Sequence, residues 1–187
     1  MTLTKNSFRQ ICLKKIKKSS RHNKFYKNYL INSALLKELE QFSSKKKLKI
    51  LFFYPLPYEA NILKSLKIMR EKHDVFVPFM QGESFKMVPF RLPLKKKKFG
   101  ILEAGNTIRN NNKIDIAIVP AVGVDGNLQR IGFGKGMYDR FFAKLKEKPY
   151  TIFVQPELCH TNKLICDTYD VSCDVLITPS KIMRKLG

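Results

Sequence analysis

Leu48-Lys49-Ile50-Leu51-Phe52-Phe53-Tyr54, closed by Pro55 and Pro57, leads through Glu59–Lys72 to Asp74-Val75-Phe76-Val77-Pro78-Phe79. This succession decides the fold. The first and last runs are short, apolar and rich in strand-forming residues, so both read as strands. Between them Ile62, Leu66 and Met69 fall on one side at helical spacing. A strand, a helix and a strand in that order form a β-α-β unit, which argues for a parallel pair. Further along, Ile114 to Pro120 is a β-branched run ended by proline and reads as a buried strand; Tyr150 to Val154 and Asp174 to Thr178 supply two more. Phe85 to Leu92 alternates weakly and reads as a short strand near the ligand, and Lys95 to Asn112 as an irregular connection. The N-terminal third reads as helices, with Phe8, Ile11, Cys12 and Ile16 on one segment and Tyr29, Leu30, Leu35, Leu36 and Leu39 on the next. The expectation is an α/β fold: one three-layer domain over 1–187, with a mostly parallel sheet flanked by helices. Ligand sites in such sheets open at the C-terminal ends of strands, here marked by Tyr54, Pro120 and Thr178.

After the Ile114 strand comes Arg130-Ile131-Gly132-Phe133-Gly134-Lys135-Gly136-Met137-Tyr138-Asp139-Arg140. Alternating glycines let backbone N–H groups approach an anion, and the helix expected over Tyr138–Lys146 adds its positive end. Lys135 and Arg130 bring full charges, and Asp139 a carboxylate suited to Mg²⁺. That equipment suits a nucleotide triphosphate, although a tight structural loop would use the same glycines. The spacing matches neither a Walker A loop nor the dinucleotide fingerprint. Lys5 and Arg9, four apart, share a helix face and repel unless an anion lies between them; on spacing alone a free surface helix explains them equally well.

With Val119-Pro120 and Asp125 ahead of it, this motif resembles the signature of the 5-formyltetrahydrofolate cyclo-ligases, also called methenyltetrahydrofolate synthetases. Other stretches match in the same order: Lys5 and Arg9, Tyr54 to Asn61 with Glu59, Phe99-Gly100-Ile101-Leu102-Glu103, Gln155, and Tyr169-Asp170. Departures are Leu128 in place of glycine, Tyr169 in place of histidine, Asn61 in place of an acidic residue, and Gly123-Val124 in place of Ala-Phe. The resemblance implies that 5-formyltetrahydrofolate and ATP become 5,10-methenyltetrahydrofolate, ADP and phosphate, with Mg²⁺ as cofactor. It implies Lys5, Arg9, Arg130, Gly132, Phe133, Gly134, Lys135, Gly136, Met137 and Tyr138 around ATP. Tyr54, Glu59 and the loop from Phe133 to Met137 would hold the folate. Lys135, Arg130 and Asp139 would carry the catalysis, and Asp139 with Asp170 the metal. Ordinary packing remains open for Tyr138, and a turn role for Asp170.

Composition sets the remaining bounds. The chain has 187 residues, 44% of them hydrophobic, enough for a sizeable core. No run of about 18 apolar residues suggests a membrane span. The four cysteines, Cys12, Cys159, Cys166 and Cys173, include no Cys-x-x-Cys pair, and reduced thiols in a cytoplasmic monomer are expected. The net charge is +21, and no acidic residue precedes Glu38. A basic nucleic-acid-binding protein is therefore a rival reading. It is disfavoured because no zinc finger, RNA-recognition signature or aromatic-interleaved basic stripe accompanies the charge. An organellar transit peptide is disfavoured too, since cleavage would discard Lys5 and Arg9. A non-catalytic relative that binds folate or nucleotide is the third reading, kept open by Tyr169 and Leu128.

Overall fold

A computed structural model describes residues 2–19, 22–42, 46–91, 95–96, 102–103 and 113–185. Most of the Phe99–Glu103 match, and most of the connection up to Asn112, lie outside them. The β-α-β unit forms as β1 (Lys49–Leu51), α3 (Leu63–Lys72) and β2 (Asp74–Gln81), with β1 and β2 parallel and Ile50 opposite Val75. β1 is shorter than the apolar run: the Phe52 N–H still donates to Phe76 O of β2, and from Phe53 the chain enters a loop. That loop closes on itself: the Glu59 N–H donates to Leu56 O, and the Leu56 N–H donates to Glu59 Oε2 at 2.9 Å. The turn consumes the first residues of the expected helix, so α3 starts at Leu63, where Asn61 Oδ1 accepts the Leu63 N–H.

Around this unit lies a seven-stranded sheet in the order β11-β10-β9-β6-β1-β2-β3. β6 (Ile116–Pro120), β9 (Tyr150–Val154) and β10 (Val175–Ile177) continue it in parallel from the other side of β1. The two edges are antiparallel: β3 (Ser84–Pro89) pairs with β2, and β11 (Ile182–Arg184) with β10. Winding reverses between β1 and β6, and a doubly wound sheet opens its crevice at such a point. Among the described residues two short pairs lie outside the sheet, β4 (Lys95–Lys96) with β5 (Leu102–Glu103), and β7 (Gly123–Val124) with β8 (Arg130–Ile131).

Each face of the sheet has its own core. α2 (Lys24–Glu40) and α3 cover one, where Ile31, Leu35, Leu39 and Leu66 meet Ile50, Ile116 and Ile118. On the other, Phe141 of α4 (Met137–Phe142) packs with Phe85, Val119 and Phe153. α4 is six residues rather than the expected run to Lys146. The chain tightens into successive turns at Lys144 and Leu145, and Pro149 follows. α1 (Lys5–Ser19) lies outside both layers, packing Phe8, Cys12 and Ile16 against Val122, Ile131 and Cys159. Both N-terminal segments are helical as expected; Ile11 and Tyr29 are 53% and 60% exposed on them, and Ile31 takes an inward place on α2.

Two substitutions in the motif now have physical accounts. A Cβ on Gly123 would lie 2.9 Å from Cys12 Sγ, so the glycine admits α1 at close range. Leu128 has φ of 54°, a left-handed conformation in which glycine is comfortable. Leucine is retained there with its side chain buried beside Val124 and Val171. The cysteine expectation needs correction. Cys12 and Cys159 form a disulfide between α1 and the loop after β9, while Cys166 and Cys173 are free. A separation of 147 residues hid that pairing.

One buried charge ties α2 to the far edge of the sheet. Glu38, 3% exposed, accepts Tyr150 Oη at 2.7 Å and two Arg184 nitrogens at 2.9 and 2.6 Å. The Arg184 bonds hold its carboxyl below the usual range. Arg184→Met should therefore cost about 1–3 kcal/mol of unfolding free energy at pH 7 in urea, the loss for a charge-assisted bond to a buried group. The difference should shrink as pH falls through the carboxylate range and Glu38 protonates. A cost that is constant with pH would show that the pair does not act through the Glu38 charge.

Candidate active site

The reversal between β1 and β6 sends two loops to the same end of the sheet. One runs from Phe52 through Glu59; the other leaves Pro120, forms the β7–β8 pair and becomes the glycine loop. Arg130 therefore lies in a strand, and its guanidinium is 6% exposed. Its Nε donates to Pro120 O at 2.9 Å, Nη1 lies 3.8 Å from Asp139 Oδ2, and the cation sits 4.8 Å from the Tyr138 ring centroid. Burial lowers its pKa, and Asp139 works in the opposite direction. A Cβ on Gly132 would fall 2.5 Å from Arg130 Nη1, so the first glycine of the motif admits this guanidinium. The second and third serve backbone shape, with φ of 98° at Gly134 and 57° at Gly136.

α1 arches over the loop. Arg9 Nε donates to Gly132 O at 2.9 Å, while a second Arg9 nitrogen donates to Asn6 Oδ1. Lys5 turns instead to Asp170 at 2.5 Å and Asp167 at 3.1 Å, with the Tyr169 ring 5.6 Å away. Burial opposes the Lys5 charge, but the two carboxylates outweigh it and raise its pKa. The repulsion expected between Lys5 and Arg9 is thus relieved by separate partners. Between α1 and the loop lies a cleft of about 550 Å³ lined by Lys5, Arg9, Arg130, Lys135, Arg140, three glycines, Asp139 and Asp170. Five cations face two carboxylates there, a balance that favours a polyanion. The cleft's charge comes from side chains more than from a helix end, because α4 has under two turns.

Phe133, Met137, Tyr138, Tyr54 and Glu59 do not line this cleft. Phe133 leaves it toward Tyr58, ring centroids 5.0 Å apart, beside Glu59 in the β1 loop. Tyr138 packs on Phe85 at 4.9 Å, and Tyr54 stacks on Phe90 at 6.5 Å. Glu59 is 8% exposed and its charge is felt at both Arg130 and Tyr138, so the two regions adjoin. Asn61 serves the backbone, accepting from Leu63 and bonding Asn28 and Asn32.

Asp139 and Asp170 both line the cleft, and Asp139 Oδ1 accepts the Val171 N–H at 3.4 Å, which brings it beside Asp170. Among the described residues no three His, Cys, Asp or Glu form a ready metal cage. Mg²⁺ in phosphate sites takes one or two carboxylates and fills its shell from phosphates and water, and this pair fits that need. Two buried groups were not singled out from sequence for what they do. Asp125 accepts the N–H groups of Asn127, Gln129, Ile165 and Cys166, tying β7–β8 to the later loop. Gln155 clasps Cys159 through both its N–H and its carbonyl.

Glu59 also sets a testable pH dependence. Burial pushes its carboxyl up to about 7 against the pull of the Leu56 N–H and Arg130. A raised acid pKa means the folded state holds a proton that the unfolded chain has lost between about 4.5 and about 7. Its stabilising contribution is complete below that window and disappears as pH rises through it. Glu59→Gln should therefore gain stability relative to the parent between pH 5 and 8, by on the order of 3 kcal/mol. Urea denaturation at the two pH values measures this; parallel curves would place an ordinary carboxyl at Glu59.

Comparison with known proteins bears on the family and the fold. The sequence profile of the 5-formyltetrahydrofolate cyclo-ligase family matches residues 2–179. A Mycoplasma pneumoniae 5-formyltetrahydrofolate cyclo-ligase is 26% identical over 176 residues, 94% of this chain and 98% of the relative. A Schizosaccharomyces pombe protein named "Probable 5-formyltetrahydrofolate cyclo-ligase" is 28% identical over 136 residues, 63% of this chain and 67% of its own. In fold, the NMR structure of Aquifex aeolicus 5,10-methenyltetrahydrofolate synthetase superposes with a TM-score of 0.76 at 24% identity, covering 97% of this chain and 93% of that one. The Mycoplasma pneumoniae 5,10-methenyltetrahydrofolate synthetase structure gives 0.67 at 22% identity, covering 95% and 99%. A match across nearly the whole length places this chain in the 5-formyltetrahydrofolate cyclo-ligase family.

Proposed function

We propose that this chain is an ATP-dependent 5-formyltetrahydrofolate cyclo-ligase that works with Mg²⁺. The observation that carries the reading is the five-cation cleft, with the buried Glu59 carboxyl nearby, in a chain matched to the family over residues 2–179. A formamide oxygen is a poor leaving group. In the proposed reaction it attacks the γ-phosphorus of ATP, the bond to the β-phosphate oxygen breaks, and ADP leaves. N10 of the folate then attacks the activated carbon, loses its proton, and the carbon–oxygen bond breaks to release phosphate. No protein nucleophile is required, so the work is positioning and charge neutralisation.

Each side chain has a part consistent with its place. Lys135 and Arg9 neutralise the phosphates, and Arg130 supports the loop beneath them. Lys5 would trade its carboxylate partners for phosphate. Asp139 and Asp170 would hold Mg²⁺, which neutralises phosphate charge when bound. Glu59 accepts hydrogen bonds from the donor-rich pterin edge, with Tyr54, Phe133 and Met137 at the folate side. Among the described residues no helix is long and apolar enough to cross a membrane.

The direct test mixes protein, Mg-ATP and 5-formyltetrahydrofolate and follows the absorbance of the methenyl product. The parent should give product in proportion to ATP consumed. Lys135→Met keeps much of the stem and deletes the charge, and should lower turnover by about two to three orders of magnitude. Folate affinity should change less than about tenfold, because the lost contact strengthens in the transition state. Parental turnover in Lys135→Met would remove the glycine loop from phosphoryl transfer.

A further inference from the structure

Arg140 closes the motif and lines the cleft, yet the reaction above gives it no role. Its guanidinium is spent on backbone carbonyls. Nε donates to Glu83 O at 2.9 Å, and one terminal nitrogen donates both to Glu83 O and, at 2.5 Å, to Lys135 O. Glu83 sits in the turn between β2 and β3, beside Gly82 with φ of 60°. The two carbonyls come from segments more than fifty residues apart, and the Arg140 guanidinium bridges them.

The hairpin end of that bridge is firmly seated. Ser84 Oγ donates to Met137 O at 3.3 Å, and Phe85 stacks on Phe141 with ring centroids 4.3 Å apart. The loop end is intrinsically soft, since Gly134 and Gly136 flank Lys135 and both adopt positive φ. A Cβ on Gly136 would come 3.0 Å from Arg140 Nη1, so the third glycine makes room for this guanidinium as the first does for Arg130. A planar fork can hold two carbonyls in fixed relation, which an ammonium does less well.

We infer that Arg140 is a positioning residue, pinning the backbone of Lys135 to the β2–β3 turn so that the lysine charge is held over the phosphate cleft. The inference rests on the proposed role of Lys135. It assigns the hairpin turn, remote from the motif in sequence, to the active site's framework. Arg140 acts through Lys135 and needs no contact with ATP.

The test is a double-mutant cycle with a second readout independent of chemistry. Arg140→Ala should lower kcat about ten- to a hundredfold, the scale of a misplaced catalytic group, with the KM for folate unchanged. In a Lys135→Met background the same change should cost less than about twofold, because residues acting as a unit are not additive. Amide hydrogen exchange over residues 132–136 should quicken at least tenfold in Arg140→Ala with the Tm preserved. Arg140→Gln, which keeps a donor and much of the stem, serves the same measurements if the alanine variant folds poorly. An undiminished kcat loss in the Lys135→Met background, or unchanged exchange in the loop, overturns the inference. A parent that makes no methenyl product would sink the proposed function instead, and the exchange experiment would still decide whether Arg140 pins the loop.

Discussion

A buried guanidinium organises this molecule. Arg130 is held by Pro120 O at the end of a central strand, stacked on Tyr138, and set beside Asp139, with Gly132 folded closely over it. Taking a charge out of water is costly, and such a group persists only with partners on several sides. Those partners are the strand end, the short helix and the glycine loop, so one side chain locks three pieces of backbone in place. The geometry of the loop is the consequence. Gly132 is required by the arginine, while Gly134 and Gly136 give the loop its left-handed backbone.

Above that platform, charge has been concentrated and only partly neutralised. Arg9 is engaged by a loop carbonyl, and Lys5 by the two carboxylates of Asp167 and Asp170. Both of these α1 cations are thus held by oxygen acceptors, the kind of partner a phosphate offers. In the proposed reaction Lys5 would exchange Asp170 for phosphate and leave that carboxylate to a cation. The disulfide from Cys12 to Cys159 and the close approach at Gly123 anchor that helix to the loop after β9 and to β7.

Much of this was legible in the chain. The strand-helix-strand run from Leu48 to Phe79 announced the parallel sheet, because burial on both faces leaves continuous apolar strands. The alternating glycines marked the loop, and Lys5 and Arg9 their helix face. Other features had no local signal. β7 and β8 are two residues each, too short for any periodicity, and β11 follows a turn that Thr178 and Lys181 close between themselves. Leu128 carries a backbone shape its residue type argues against. α4 ends short of its apolar pattern because Leu145 extends that pattern past the point where turns take over. Cys12 with Cys159, and Lys5 with Asp170, meet only through tertiary structure; spacing along the chain carries no trace of either.

In the proposed reaction nucleotide and folate occupy adjoining but separate places, divided by the glycine loop. Hydrogen exchange measured with a non-hydrolysable Mg-ATP analogue alone, and with 5-formyltetrahydrofolate alone, separates the two places. The nucleotide should protect residues 5–9 and 130–136, and the folate residues 54–59 and the loop around Phe133. Nucleotide protection centred on the β1 loop, with residues 5–9 unaffected, would show that the cation-lined cleft is not the nucleotide site.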